Sequence, residues 1–428
     1  MMTKLCVGAL IFGSLLAAVA IGVDLQSYEN YKLYHVQPAS HAQLKLLVES
    51  NNNEQIDLWS SPGIGRRSSV MVDPDTEESF VAMLTLNNIS HRVLNDDVQQ
   101  LIEQERAGQQ AKLRARREAS DGKDFDRFWT LEEIYQYLDE LAETYPDLVR
   151  VTSYGTTHQG RPIKVITIST QGAVNMLRPV VLIDGGIHAR EWAGHMSVIY
   201  LIHQLVENSA EHEDLLKNTD WVIMPVANPD GYVYTHGTNR LWRKNRVPVN
   251  TLCQGVDLNR NFPFRWEYYG GECSIGYAGA TPASELETRA VMLLMAKYAK
   301  VTKVYLAVHT CGDYILYPYG YDYVIAPNAV QLQALGERAA RAVEAVGGPE
   351  YKVGSAAFLL YPANGSDDFI YGSFGVNYAY TLELSCGEAG GGFIVNNTEI
   401  RKIAKEAFEM FKTFGLFAGE EFVPLSEE

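Results

Sequence analysis

The chain has 428 residues, 46% hydrophobic and 21% charged, which excludes disordered, collagen-like and coiled-coil classes. At roughly 150 residues per domain it should hold two or three domains. Its net charge of −16 argues against nucleic acid or an anionic membrane as partner, and five cysteines are too few for a disulfide-dense miniature scaffold. Lys4 followed by the apolar run Val7–Leu16 and the small residues Ala18-Val19-Ala20 reads as a secretory signal peptide over residues 1–20. The run is too short for a membrane anchor, and no later segment offers 18 consecutive apolar residues. A secreted, extracellular protein is therefore expected.

The front domain is expected to span residues 21–117. Tyr31–Val36 alternates like a strand, His41–Val48 has helical spacing, and Ile56–Trp59 and Ser69–Val72 read as further strands. With another helix and a last strand, these make a small α+β open sandwich with no catalytic cluster. Residues 105–123 are polar, basic and poor in large apolar side chains, which suggests an exposed helix end and linker. Residues 21–117 carry 10 Lys+Arg against 13 Asp+Glu, and residues 118–428 carry 25 against 39. The cluster Arg114, Arg116 and Arg117 thus lies between two acidic bodies, where a trypsin-like protease would cut, after Arg116 or Arg117.

From residue 150 onward, apolar β-rich runs alternate with helical patterns: Ile163–Ile168, Val180–Ile183, Trp221–Val226, Lys303–Val308 and Ala379–Leu382. Runs this apolar predict central strands buried on both faces, in an α/β sheet covered by helices. The sharpest motif is Gly185-Gly186-Ile187-His188-Ala189-Arg190-Glu191-Trp192: a strand, a glycine turn and a helix starting near Glu191. His188 and Glu191, three apart, can reach one point, and His309 ends another apolar strand. Two imidazoles and a carboxylate form a zinc set with one position left for water, and such sites gather at the carboxyl ends of strands. Cys253, Cys273, Cys311 and Cys386 remain after signal removal and allow three pairings. The separation of 20 favours Cys253 with Cys273, which leaves Cys311 with Cys386.

Gly186–Trp192, Asn239–Lys244, Val256–Asn261 and His309 followed by Tyr317-Pro318-Tyr319-Gly320 closely resemble the secreted zinc metallocarboxypeptidases of the pancreatic A/B type. The resemblance spans essentially the whole chain, its front domain being similar to that family's inhibitory pro-segment. It implies a mixed eight-stranded sheet with helices on both faces, over residues 118–428, and removal of one residue at a time from peptide C-termini. His188, Glu191 and His309 would bind one Zn2+, and Asp257 would orient His188. Glu383 matches the general base for the zinc-bound water, and Arg243 would stabilise the oxyanion. Asn259 and Arg260 would clamp the terminal carboxylate, Tyr361 would close over it, and Arg190 would line a neighbouring subsite.

Asp367 aligns with the aspartate that B-type enzymes carry at the base of the side-chain pocket, which implies preference for C-terminal Lys or Arg. An A-type or relaxed pocket is the alternative, and an inactive carboxypeptidase-like binding protein the alternative of another class. The resemblance also gives Asp57 a role: pairing with Arg260 in the zymogen, as a mimic of a substrate end. A trypsin-like activating protease is the implied partner, and a monomer is the default. Departures from the family pattern stand near the site. The loop from Tyr361 is one residue shorter, Leu384-Ser385-Cys386-Gly387 follows Glu383, and Cys311 replaces an aromatic residue. Of the sequons at Asn88, Asn364 and Asn396, that at Asn364 is expected to be unused, because it lies on the specificity loop.

Overall fold

The computed structural model describes residues 25–51, 55–60, 62–118, 123–174, 176–386 and 392–420, with only the backbone of 115–118. The expected signal peptide lies outside them. The front domain is a four-stranded antiparallel sheet in the order β2-β3-β1-β4, made of β1 (Lys32–Gln37), β2 (Ile56–Leu58), β3 (Ser68–Val72) and β4 (Ser90–Asn95). Helices α1 (His41–Ser50) and α2 (Glu77–Leu86) cover one face. Alternation along the strands divides the apolar residues between two sides. Tyr34, Val36, Val70 and Val72 meet Leu47, Phe80 and Leu84 of the two helices. On the opposite face, Leu33 and Met71 join Val98 and Ile102 of α3 (Val98–Glu118) against Leu241, Phe393 and Ile394 of the large domain. The open face of the sandwich expected from the sequence is thus closed by the large domain itself.

The large domain carries a mixed eight-stranded sheet in the order β11-β10-β12-β9-β7-β8-β6-β5. Its strands are β5 (Val149–Thr156), β6 (Pro162–Ile168), β7 (Val180–Gly185), β8 (Asp220–Met224), β9 (Thr302–Thr310), β10 (Tyr314–Tyr317), β11 (Lys352–Ser355) and β12 (Tyr378–Leu384). The central neighbours β8, β7, β9 and β12 run parallel, and β7 is buried along its whole length. Again the alternation assigns faces. Val181, Ile183, Leu306, Val308 and Leu382 pack beneath α4 (Leu131–Thr144), α5 (Trp192–Val206), α9 (Ala329–Ala345) and α12 (Asn397–Glu420). Val180, Leu182, Tyr305 and Ala379 pack beneath α8 (Leu286–Tyr298) and α11 (Ser366–Phe374). The short helices α6 (Glu213–Lys217), α7 (Pro229–Gly237) and α10 (Ala356–Leu359) complete the layers. Helices on both faces of a mixed sheet are the architecture the sequence predicts.

The expected helix end is present, α3 continuing to Glu118 with Leu113 and Arg114 exposed; one residue departs from the expectation of an exposed segment, because Glu105 is buried. Ile102 and Glu105, three apart, share the helix face that meets the large domain.

Candidate active site

Three parallel strands end at one edge of the sheet, and each delivers part of the site. After β7 the chain turns at Gly186, whose φ of +69° and lack of Cβ are both required, since a Cβ would fall 2.2 Å from His195 Nε2. That turn brings His188 to the cleft and places Glu191 as the residue capping α5. His309 lies near the end of β9, and in the parallel register it stands directly beside Glu383 of β12.

His188 Nδ1 lies 2.7 Å from Glu191 Oε1, His309 Nδ1 3.2 Å from Glu191 Oε2, and the two Nδ1 atoms 3.1 Å apart. All three residues are buried. Asp257 Oδ1 holds His188 Nε2 at 3.1 Å, so Nδ1 is left as the acceptor facing the cluster. Two nitrogen lone pairs and a carboxylate, all buried and converging on one point, repel one another unless a cation lies among them. An N,N,O donor set of this kind fits a catalytic zinc with one open position. Burial, then the charge of Arg243, lowers the His188 pKa, which favours the neutral ring that a metal requires.

Asp257 joins several of these parts. It caps the turn Leu258–Arg260 by accepting from Asn259 N, and its Oδ2 accepts Nε and Nη2 of Arg243 at 3.1 and 3.0 Å. Although burial raises its pKa, Arg243 and His188 hold it well below the usual carboxylate range. Arg243 Nη1 is 3.9 Å from Glu191 Oε1. Arg260 Nη1 donates to the carbonyls of Asn259 and Asn364, while Asn259 Oδ1 accepts Ser366 N. Tyr361, Asn259, Arg260, Arg190, Asp367 and Glu383 all line the same cleft as His188 and Glu191. Burial raises Glu383 to about 7, opposed by the charge of His309 and reinforced by that of Glu191.

Asp367 sits in the first turn of α11, 6% exposed, with Oδ2 buried and unpartnered among the described residues. Its pKa is raised, by burial first. Its neighbour Asp368 has a different task, accepting the backbone N–H groups of Gly320 and Tyr321 at 2.8 and 2.7 Å. Disulfides join Cys253 to Cys273 and Cys311 to Cys386, the pairing expected from the sequence. The second ties the ends of β9 and β12, which carry His309 and Glu383. Asn364 Nδ2, where a glycan would attach, is buried, while Asn88 and Asn396 are exposed.

The expected Asp57–Arg260 pair is not formed. Asp57 is held by Arg190 instead, Nη1 to Oδ2 and Nη2 to Oδ1 at 2.5 and 2.9 Å. Strand β2 crosses the cleft so that Asp57 meets the loop following β7, and Trp59 beyond it covers Cys311 and Phe393. Arg114 is exposed, and the side chains of Arg116 and Arg117 lie outside the described residues. Two residues with structural weight near the site were not singled out from the sequence. Asn245 exchanges hydrogen bonds with Val256 and donates to Glu285 and Glu287, which joins the Arg243 and Asp257 loops. Glu105 pairs with Arg240, Oε2 to Nε at 2.5 Å and Oε1 to Nη2 at 3.1 Å, both residues being buried. Only Arg240 had a sequence signal, as part of the Asn239–Lys244 motif.

Comparisons with known proteins agree with this geometry. Residues 134–410 match the zinc carboxypeptidase family, and residues 34–105 match the carboxypeptidase activation peptide. The chain is 36% identical to a carboxypeptidase B of Helicoverpa zea over 417 residues, covering 93% of this chain and 96% of that one. It is 35% identical to zinc carboxypeptidase A 1 of Anopheles gambiae, with 92% of each covered. Among solved structures, carboxypeptidase A from Helicoverpa armigera superposes with a TM-score of 0.85 at 34% identity, covering 92% of this chain and 98% of that one. The chain belongs to the zinc carboxypeptidases and is a metallocarboxypeptidase that carries the family's activation peptide.

Proposed function

We propose that this enzyme is secreted as a zymogen, is activated by a trypsin-like cut after Arg116 or Arg117, and then removes C-terminal Lys and Arg. One observation carries the basic preference: a buried carboxylate oxygen of Asp367, without a hydrogen-bond partner among the described residues, in the wall of the cleft. Backbone N–H groups and Thr381 help to hold this carboxylate but bring no countercharge, and a desolvated charge without one is costly; a lysine or arginine side chain entering the pocket would supply the cation. Secretion accords with the apolar leader, and no helix among the described residues is long and apolar enough to cross a membrane.

The remaining roles follow from position. Zinc held by His188, Glu191 and His309 would supply Lewis acidity to the scissile carbonyl and the attacking water. Arg260, which uses Nη1 on backbone carbonyls, and Asn259 would hold the terminal carboxylate, with Tyr361 closing over it. Glu383 would take a proton from water as its oxygen attacks the carbonyl carbon. It would then pass that proton to the leaving amine as the C–N bond breaks. Arg243, already oriented by Asp257, would face the charge growing on the carbonyl oxygen.

The test is release of Arg against Phe from two short blocked peptides after trypsin treatment, with and without a zinc chelator. Chelator-sensitive release of Arg should exceed that of Phe by about 10²-fold, and Asp367→Ala should abolish the difference, since losing one partner of a buried charge pair costs about 2–5 kcal/mol. Faster release of Phe would keep the enzyme and overturn the pocket assignment. Release of neither residue would favour a carboxypeptidase-like binding protein.

A further inference from the structure

The end of β9 serves the site twice. His309 belongs to the metal cluster, and the next residue, Thr310, donates its backbone N–H to Glu191 Oε2 at 3.1 Å. In the parallel ladder His309 stands opposite Glu383, and the last pair is Thr310 opposite Leu384. Strand ends open most easily where ladder bonds stop. Beyond that last pair the two chains are joined by a hydrogen bond from Gly312 N to Leu384 O at 3.0 Å and by the Cys311–Cys386 disulfide. Both cysteines stand where the sequence departs from the family pattern. The residues that would bind the substrate end lie on other segments: Asn259 and Arg260 on the turn Leu258–Arg260, and Asp367 on α11. The pro-domain covers the bridge. Trp59, buried and within the stretch 34–105 matched to the activation peptide, places its carbonyl oxygen 3.5 Å from Cys311 Sγ. Under this cover Cys311 is 2% exposed, although it lines the same cleft as Glu383, whereas Cys386 is partly exposed.

From this we infer that the Cys311–Cys386 bridge is a positioning element of the catalytic centre, sealed by the pro-domain and opened to reduction when that domain leaves. The bridge sets the end of β9, with His309 and the Thr310 N–H that holds Glu191, against Glu383 of β12. That role rests on the carboxypeptidase reading above and adds a redox sensitivity to the activated enzyme. A dithiol would carry out the reduction. One thiolate attacks a bridge sulfur and displaces the other cysteine as a thiolate, and the second thiol then closes on the mixed disulfide. Two electrons and two protons thus pass to the cysteine pair, and the dithiol becomes a cyclic disulfide. Attack at Cys311 Sγ needs the Trp59 cover removed, so the activated form should react faster. Once the bridge is cut, Glu383 and the metal residues lose their fixed separation, while the carboxylate clamp and the Asp367 pocket keep theirs.

The experiment treats activated enzyme and uncut zymogen with dithiothreitol in zinc-supplemented buffer, alkylates the freed thiols and maps them by mass spectrometry. Cys311 and Cys386 should be labelled about tenfold faster in the activated form. In step with that labelling, kcat on a blocked peptide ending in Arg should fall about 10²-fold, as for a small misplacement of reacting groups, with KM unchanged. A general loss of structure would raise KM as well. The double variant Cys311→Ala/Cys386→Ala should show the same loss of kcat without reductant and release zinc to a chelator about tenfold faster than the wild type. If that variant does not fold, the reduced and alkylated wild type gives the same two readings. Full alkylation of the pair with kcat unchanged, or a rise in KM at constant kcat, would overturn the positioning role. Equal labelling rates in the two forms would overturn the seal by Trp59. Failure of the untreated activated enzyme to cleave any peptide would count against the carboxypeptidase reading instead. In that event zinc release decides the inference, equal rates before and after alkylation refuting it.

Discussion

Glu383 sits beside His309 across two parallel strands, and its ionisation should govern the acid side of activity. Burial raises this carboxyl to about 7, and a base accepts a proton only in its ionised form. Activity on an Arg-ended peptide should therefore rise with pH as Glu383 loses its proton. A divalent cation held by His188, Glu191 and His309 would favour the charged form, so the acid limb should lie below pH 7. Glu383→Gln should lower kcat by about 10²–10⁴ while leaving the zinc content, measured by atomic absorption, unchanged. Retention of activity within tenfold would place the base elsewhere. The metal residues were legible in the sequence because His188 and Glu191 are local and His309 ends a long apolar run. The partner of Asp57 was not. Arg190 and Arg260 offer the same fork in the same cleft, and only the path of β2 over the loop after β7 chooses between them.

Between the elements, the sheet was the most readable feature and the ends of helices the least. Strands β7 and β9 read plainly because both of their faces are buried, whereas the face of α3 bearing Ile102 and Glu105 is too short and mixed to stand out from a polar helix. The same limitation hid the anchor at the start of α8. There Glu287 Oε2 accepts from Asn245 Nδ2 at 3.2 Å and Oε1 is buried without a hydrogen-bond partner among the described residues. A helix N-terminus favours a carboxylate, yet burial wins and raises Glu287 from 4.5 to about 7. A folded-state pKa raised above the unfolded value means that the folded form holds its proton more tightly, so stability is lost as pH rises from about 4.5 to 7. Glu287→Gln keeps the acceptor and removes the penalty. It should stabilise the protein by about 3 kcal/mol at pH 8 and only about 1 kcal/mol at pH 5. Thermal unfolding at the two pH values checks this, and an equal gain at both would mean that Glu287 is ionised at little cost in the fold.

At the scale of the whole molecule, the two domains are joined by a mixed interface with an apolar centre and two buried ion pairs. The apolar part, Leu33, Trp59 and Met71 against Leu241 and Phe393, is insensitive to pH and was foreseeable only as a domain contact. The ion pairs Asp57–Arg190 and Glu105–Arg240 add position rather than simple strength, because desolvation offsets much of what a buried pair gains. Removing one partner is another matter, since it strands the other charge, at a cost of about 3–5 kcal/mol. Part of that cost is relieved when the pro-domain lifts and water reaches the arginine, so the open form of the uncut zymogen should become about 10²-fold more populated. Asp57→Asn and Glu105→Gln should each raise the activity of the uncut protein on a small Arg-ended peptide. Only Asp57 also stands in the cleft. Asp57→Asn should thus raise activity the more, and both variants should make the pro-domain easier to cleave by protease. Unchanged activity in both uncut variants, with trypsin activation intact, would show that the apolar contact around Trp59 alone keeps the cleft closed.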